Sequence, residues 1–424
     1  MTRSPLIAVP PYHVQGTAAA NEAGFPRFAH HESVAALWEQ KWREPCELGI
    51  YPFTDGNIED FTPIFADLVR LSGDEPDILY RPDEYARPFF PVAENLLARA
   101  EQAEARKDVS DARRLYLRAA AVFRMARFPI NRSPVSEDAW RRGKAAYIKG
   151  ARSLDPPSVP VDIPFTHADR ASDDDTGPIQ AFLRVPKGQT PANGWPVLLF
   201  ICGLDAYKTD HTDRTQRHVE SGFATLSFEI PGTGDCPAAP SDPASPDRLI
   251  RSILDWVASE ASGYAFNVAK IAARGVSTGG YYALRAAHTH ADRLFAAVAQ
   301  GAACHHVFDA AWIGVQDQME YPFALAEALA YKFGFRDADP VAAYMAGACK
   351  FSLLESGVLD RPSCRMLIIN GMEDSIFPIE DSLIAGLHGK NKDVIARGNR
   401  SHMGDPGADD ILFRWIDDAI AGKL

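Results

Sequence analysis

The chain reads as an α/β protein with a mostly parallel sheet covered on both faces. Three features carry that expectation. From about residue 156 onward, short, near-continuous apolar runs alternate with helical stretches, as strands do when helices cover both faces of their sheet. Before about residue 155 the apolar period is helical throughout. Between an apolar run and a helix stands Gly275-Val276-Ser277-Thr278-Gly279, and a sharp strand-to-helix turn at that position exposes a serine.

In the first part, 31–41 place Val34, Leu37 and Trp38 on one face, and 60–71 place Phe61, Ile64, Phe65 and Leu68 on one face. Residues 90–105 and 110–128 form two long amphipathic runs separated by Lys107-Asp108. The second carries Leu115, Ala119, Val122 and Phe123 as a buried stripe. Ser110 is the expected N-cap, with the Asp111 carboxylate in the first turn. A further helix runs from 136 to about 154. The two long runs resemble one tetratricopeptide-type hairpin, without a second copy at a fixed period. Eight Arg/Lys against four Asp/Glu between 99 and 127 read as a solvated face around the stripe. Trp38, Trp42, Phe61, Phe65, Phe89 and Phe90 supply apolar anchors for an internal core or for an interface. The expectation is an N-terminal helical domain over 1–155 that caps the site and builds a homodimer.

In the second part, 160–166 and 179–185 read as an edge hairpin. Strands follow at 197–201, 224–228, 270–276, 296–299, 365–369 and 393–396, with helices such as 246–259 and 280–288 between them. From about 305 to 356 helical sequence interrupts the rhythm. That span is too long for an ordinary connection and reads as an inserted helical lid. Residues 156–424 are therefore expected to be one catalytic domain carrying the lid.

The composition narrows the function classes. Of 424 residues, 46% are hydrophobic and 24% charged, which excludes a disordered chain and a coiled-coil rod. The net charge of −12 repels phosphate backbones, so nucleic acid is not an expected partner. The six cysteines are scattered without a C-x-x-C, so neither zinc nor a disulfide framework is expected. Met1 to Pro11 lack the apolar run of a signal peptide, and no stretch approaches a membrane span. A soluble, reduced, cytoplasmic protein without cofactor follows as the expectation.

The chemistry centres on Ser277. A hydroxyl needs a base to become a nucleophile, and the base needs an orienting acid. After the strand at 365–369 comes Asn370-Gly371-Met372-Glu373-Asp374, with Pro378 beyond. Asp374 and Glu373 both stand where a carboxylate past that strand's end can reach a histidine. Past the last strand lies His402, the only histidine in the last 35 residues; His388 precedes that strand and is wrongly placed. Two backbone N–H groups should hold the oxyanion. Thr278 follows the nucleophile, and Leu204 lies in the Cys202-Gly203-Leu204-Asp205 loop after the strand at 197–201. Cys202 stands where many esterases have a histidine, and nothing nearby lowers its pKa. The run Glu229 to Asp235 lacks the Lys-Ser/Thr of a phosphate loop. Asp205 and Asp235 read as turn residues. Cys304-His305-His306 makes a poor metal pair, so no metal is expected. Gly203, Asp205, Tyr281 and the lid aromatics Trp312, Tyr321 and Phe323 are the candidate substrate contacts.

From about residue 160 the chain resembles the α/β-hydrolases of the branch holding FrsA-like proteins and 2,6-dihydropseudooxynicotine hydrolase, which carry a helical domain ahead of the hydrolase. Leu37-Trp38-Glu39-Gln40-Lys41-Trp42 and 51–61, Tyr-Pro-Phe-Thr-Asp-Gly-Asn-Ile-Glu-Asp-Phe, resemble the fungal polyketide-shortening hydrolases of the yellowish-green conidial pigment type. That resemblance implies an α/β-hydrolase fold with Ser277, Asp374 and His402 as its triad; Gly371, Asp374 and Pro378 satisfy the family pattern G-x-x-D-x-x-x-P, which favours Asp374, with Glu373 as the alternative acid. It further implies cleavage of a carbon–carbon bond in a polyketide β-dicarbonyl side chain. The implied partner is a small-molecule polyketide, the product of a polyketide synthase. Ester or lactone hydrolysis, or acyl transfer that releases a chain, would use the same residues.

Overall fold

The computed structural model describes residues 28–73, 76–173, 177–259, 262–389 and 392–423. The stretch from Met1 to Pro11 lies outside the described residues. Among the described residues seven α-helices come first: α1 (Val34–Leu37), α2 (Arg43–Leu48), α3 (Ile58–Ser72), α4 (Pro82–Ala86), α5 (Phe90–Ala105), α6 (Val109–Ala126) and α7 (Pro134–Ala151). Then follow β1 (Val159–Ile163), β2 (Ile179–Arg184), β3 (Trp195–Ile201), α8 (Thr212–Glu220), β4 (Ala224–Phe228), α9 (Ser245–Ala258), β5 (Phe266–Val276), α10 (Thr278–Thr289) and β6 (Ala296–Gln300). The chain closes with α11 (Ala310–Ile313), α12 (Leu325–Lys332), α13 (Pro340–Gly347), β7 (Arg365–Gly371), α14 (Ile379–Gly386), β8 (Lys392–Arg397) and α15 (Ala408–Ile420).

One sheet holds all eight strands in the order β1-β2-β4-β3-β5-β6-β7-β8. β1 and β2 pair antiparallel, as the edge hairpin predicts, and β2 joins β4 antiparallel. The other neighbours run parallel. Alternate residues of one strand serve opposite faces. Val197, Leu199 and Ile201 of β3 join the core shared with the N-terminal helices. Leu198 and Phe200 join a second core closed by Leu412, Phe413 and Ile416 of α15. Both faces being covered is why these strands read as unbroken apolar runs.

The N-terminal helices share that first core. Trp38, Trp42, Phe61, Phe65 and Phe89 are all buried, and Trp38 stacks on Phe65 with ring centroids 4.3 Å apart. Of the six predicted anchors only Phe90 is part-exposed, so the others serve packing inside the chain.

Three local expectations change. The helix expected over 31–41 is the short α1, capped by Ser33, then a widened π turn over Trp38–Trp42, then α2. α6 starts earlier than Ser110: Asp108 is the N-cap, accepting from the Asp111 N–H at 3.0 Å. The arginine-rich hairpin is not only a solvated face. Arg118, Arg124 and Arg127 are buried. Arg118 is paired bidentately with Asp60, with both bonds at 2.8 Å. Charge counts give the excess of arginine but not its partners, which lie far away in sequence.

Candidate active site

Ser277 sits between β5 and α10 at φ 54°, ψ −125°, a backbone conformation that a side-chain-bearing residue holds only when its surroundings enforce it. Here they do. The Ser277 N–H donates to Gln300 O at 2.8 Å, and the Gly280 N–H donates to Ser277 O at 2.7 Å. The first motif glycine has a steric cause: a Cβ on Gly275 would stand 2.0 Å from Gly279 O. Gly275→Ala is therefore expected to open the turn, destabilising the fold by about 1–3 kcal/mol and removing activity together; a thermal melt and an activity assay check both.

The acid arrives after β7 and the histidine after β8. Gly371 lets these two loops cross, since a Cβ there would lie 2.0 Å from Ser401 O. Asp374 is fully buried. Its Oδ1 accepts from the Ile376 and Phe377 N–H groups at 2.8 and 3.0 Å. Its Oδ2 accepts from Asn370 Nδ2 and from His402 Nδ1, each at 2.8 Å. His402 Nε2 lies 2.8 Å from Ser277 Oγ. The structure thus brings Ser277, His402 and Asp374 into one hydrogen-bonded line. Glu373 stays out of it and contributes its backbone N–H to Arg400 O. Asn370, to which sequence reasoning gave no role, ties the two loops: its Oδ1 also accepts from the Met403 N–H at 3.0 Å. Phe377 stands edge-on to the imidazole at 5.2 Å.

Burial disfavours the His402 imidazolium, but the charge and hydrogen bond of Asp374 outweigh it, with Glu320 and Asp205 adding to the pull. The net result holds His402 above the ordinary histidine value of 6.5. A base must be neutral to accept a proton. Activity is expected to fall as pH drops, along a limb whose midpoint lies above 6.5. Asp374→Asn should move that limb to lower pH. A kcat/KM profile of both forms measures it.

Beside Ser277 and His402 opens a cavity of about 550 Å³. Gly203, Asp205 and Tyr321 line it, as three of the candidate contacts should. Gly203 passes close over the serine: a Cβ there would lie 3.6 Å from Ser277 Cβ. Asp205 accepts the Tyr321 hydroxyl at 2.6 Å, so it is more than a turn residue. Asp235 instead pairs with Lys144 and Lys208. Thr278 opens α10, and Leu204 is buried beside Gly203.

The other three candidates lie away from the cavity. Tyr281 of α10 is buried and donates to Phe351 O at 2.8 Å. Trp312 is fully buried, its Nε1 3.4 Å from Ile376 O. Phe323 packs into the helical core between Trp42, Tyr85 and Phe128. Aromatic side chains serve a core or a pocket equally well, so residue type alone did not separate them.

Sequence reasoning missed the remaining walls. Lys41, Trp42, Tyr51 and Pro52 come from the N-terminal helical segment, Glu320 from the 305–356 segment, and Arg214 from α8. Burial holds the Glu320 carboxyl above the ordinary glutamate value, against the pull of Lys41. Cys202 is fully buried, and burial pushes its thiol well above the ordinary value. Among the described residues no cluster of His, Cys, Asp or Glu is placed to hold a metal. Nor is any helix long and apolar enough to cross a membrane.

A mostly parallel sheet with a serine turn after its central strand, an acid after β7 and a histidine after β8 defines an α/β-hydrolase. The chain belongs to the FrsA-like esterase family, whose model matches residues 88–418. It is 30% identical over 199 residues to the alpha/beta hydrolase psoB of Aspergillus fumigatus, with 44% of this chain and 43% of that protein covered. It is 26% identical over 291 residues to the esterase FrsA of Escherichia coli O157:H7, with 66% and 64% covered. The chain thus spans less than two thirds of the length of either relative. Among solved structures, 2,6-dihydroxy-pseudo-oxynicotine hydrolase superposes with a TM-score of 0.64 at 20% identity, covering 79% of this chain and 89% of that one. AbyA5 superposes with 0.58 at 21% identity, covering 78% and 92%. These two share the fold.

Proposed function

We propose that the chain is a serine hydrolase that cleaves a carbon–carbon bond in the β-dicarbonyl side chain of a small polyketide. The observation that carries the reading is the line of two 2.8 Å contacts from Asp374 through His402 to Ser277, ending at the cavity. Ser277 Oγ attacks the ketone carbon as its proton passes to His402 Nε2. The Thr278 and Leu204 N–H groups receive the oxyanion. Collapse of the tetrahedral adduct breaks the carbon–carbon bond, and the departing enolate takes the proton from His402. Water, deprotonated by His402, then releases the acid from Ser277.

The substrate class rests on the cavity walls. Lys41, Trp42, Tyr51 and Pro52 belong to the two N-terminal stretches that resemble polyketide-shortening hydrolases. With Phe128 and Ile376 they offer apolar and aromatic surface beside the serine, which suits a flat aromatic body with an acyl side chain. On this reading the helical segment up to about residue 155 acts as a cap over a hydrolase domain.

Ester or lactone hydrolysis is the second reading, favoured by the esterase family match. The two are separated by incubating the protein with an aryl 1,3-diketone and with the matching aryl ester in heavy-oxygen water. The expected result is a methyl ketone plus a carboxylic acid carrying one heavy oxygen, lost in Ser277→Ala. Turnover of the ester alone would overturn the carbon–carbon reading and leave the esterase.

A further inference from the structure

The N-terminal helical segment lines part of the cavity, and the end of α6 reaches beyond it to the loop after β3. Arg127 follows α6 and is almost completely buried. Both hydrogen bonds of its guanidinium end in the loop between β3 and α8, the loop that carries Gly203 and Leu204. Nη1 donates to Asp205 O at 2.9 Å, and Nη2 donates to Asp210 Oδ2 at 2.6 Å. The guanidinium lies 3.4 Å over the Tyr207 ring. One turn back, Arg124 Nε lies 2.9 Å from Asp210 Oδ1, while its Nη1 holds the Pro52 and Thr54 carbonyls. Asp210 also accepts the Tyr207 N–H at 2.8 Å. The Tyr207 hydroxyl donates to Asn131 Oδ1 at 2.6 Å. The stretch from Asp205 to Asp210 is thus wrapped around a cation supplied by another part of the chain. Neither Arg127 nor Asp210 is among the cavity-lining residues.

A cation that only attached the helices to the sheet could end on any carboxylate. Arg127 instead spends one of its bonds on the main-chain carbonyl of Asp205, next to the proposed oxyanion donor. The same loop presses on the serine turn, where a Cβ on Gly203 would lie 3.2 Å from Val276 O. We infer that Arg127 is a positioning residue. Through the Asp205 carbonyl and Asp210 it sets the Gly203–Leu204 backbone over Ser277 and so tunes the oxyanion hole. The inference rests on the serine-hydrolase reading above. α6 carries its own control: Arg118 is also buried and bidentate, but its partner Asp60 lies on α3 and it touches no part of the loop.

Lysine keeps the charge opposite Asp210 but cannot bridge two acceptors in fixed geometry. Losing a donor at an oxyanion hole costs about 10²–10³ in kcat, so a displaced one in Arg127→Lys should cost about 30-fold. The test measures the rate at which an alkyl fluorophosphonate labels Ser277. It also measures the affinities of phenylboronic acid, which forms a tetrahedral adduct, and of benzoate, which does not. Arg127→Lys should slow labelling and weaken the boronate by about 30-fold each while benzoate changes by less than about 3-fold. Arg118→Lys should lower the melting temperature and leave the labelling rate at the wild-type value. Tyr207→Phe keeps the ring under Arg127 and drops the hydroxyl's bonds with Asn131, to its Oδ1 and from its N–H. It serves if Arg127→Lys does not fold, and should slow labelling by about 5-fold with benzoate affinity kept. Labelling of Arg127→Lys as fast as Arg118→Lys, or equal losses for boronate and benzoate, would overturn the inference alone. A wild-type chain unlabelled at Ser277 would overturn the serine-hydrolase reading and this inference with it.

Discussion

Ser277→Ala is expected to lower turnover by at least about 10⁴-fold while the melting temperature holds near the wild-type value. The side chain makes one hydrogen bond, to His402 at 2.8 Å, and its removal opens no core cavity because Ser277 faces the existing one. The turn is held by its backbone bonds to Gln300 and Gly280, which alanine keeps. No neighbouring nucleophile can take over. Cys202 stands beside Gly203 in the loop after β3, but it is fully buried, and burial keeps its thiol protonated. Affinity for a product acid should persist, since the cavity walls are untouched. A substrate turnover assay read beside a thermal melt separates these effects.

Asp210→Ala carries the largest stability effect the structure points to. It would leave Arg124 and Arg127, with side chains 2% and 1% exposed, without the carboxylate they share. Breaking a buried ion pair from one side costs about 3–5 kcal/mol, because the remaining charge stays desolvated. The urea midpoint should fall accordingly, whereas Asp155→Ala, which breaks the exposed pair with Lys187, should leave it unmoved. Equal midpoints for the two variants would mean that water reaches the Asp210 cluster.

The strands were legible in the sequence because both faces of the sheet are covered. Ala224 to Phe228 is apolar enough to be marked at its observed ends, Ala224–Phe228. The serine line was legible for a different reason: motif, chain order and position after a strand all point to the same residues. Asp374 over Glu373 follows from the family pattern that Gly371, Asp374 and Pro378 satisfy, and Gly371 of that pattern has a steric reason: it lets the acid loop cross the histidine loop.

What stayed hidden depends on pairing across distance. Arg127 meets Asp210 from 83 positions away, and periodicity shows where a charge lies on a helix but not what it faces. Asp108 and Ser110 are both good caps, and only the hydrogen bond to the Asp111 N–H decides between them. Lys41 and Glu320 reach the cavity from segments far apart in the sequence. Position in the 305–356 segment suggests Trp312 and Phe323 as pocket residues, but Trp312 is buried against Ile376 and Phe323 packs among Trp42, Tyr85 and Phe128 of the helical core.

The most direct test of the account is mass analysis of the chain after reaction with a fluorophosphonate probe. Ser277 Oγ forms the bond to phosphorus and fluoride leaves. The account predicts one adduct per chain, mapped to the peptide bearing Ser277 and lost in His402→Ala. No adduct, or an adduct mapped to any other residue, would contradict it.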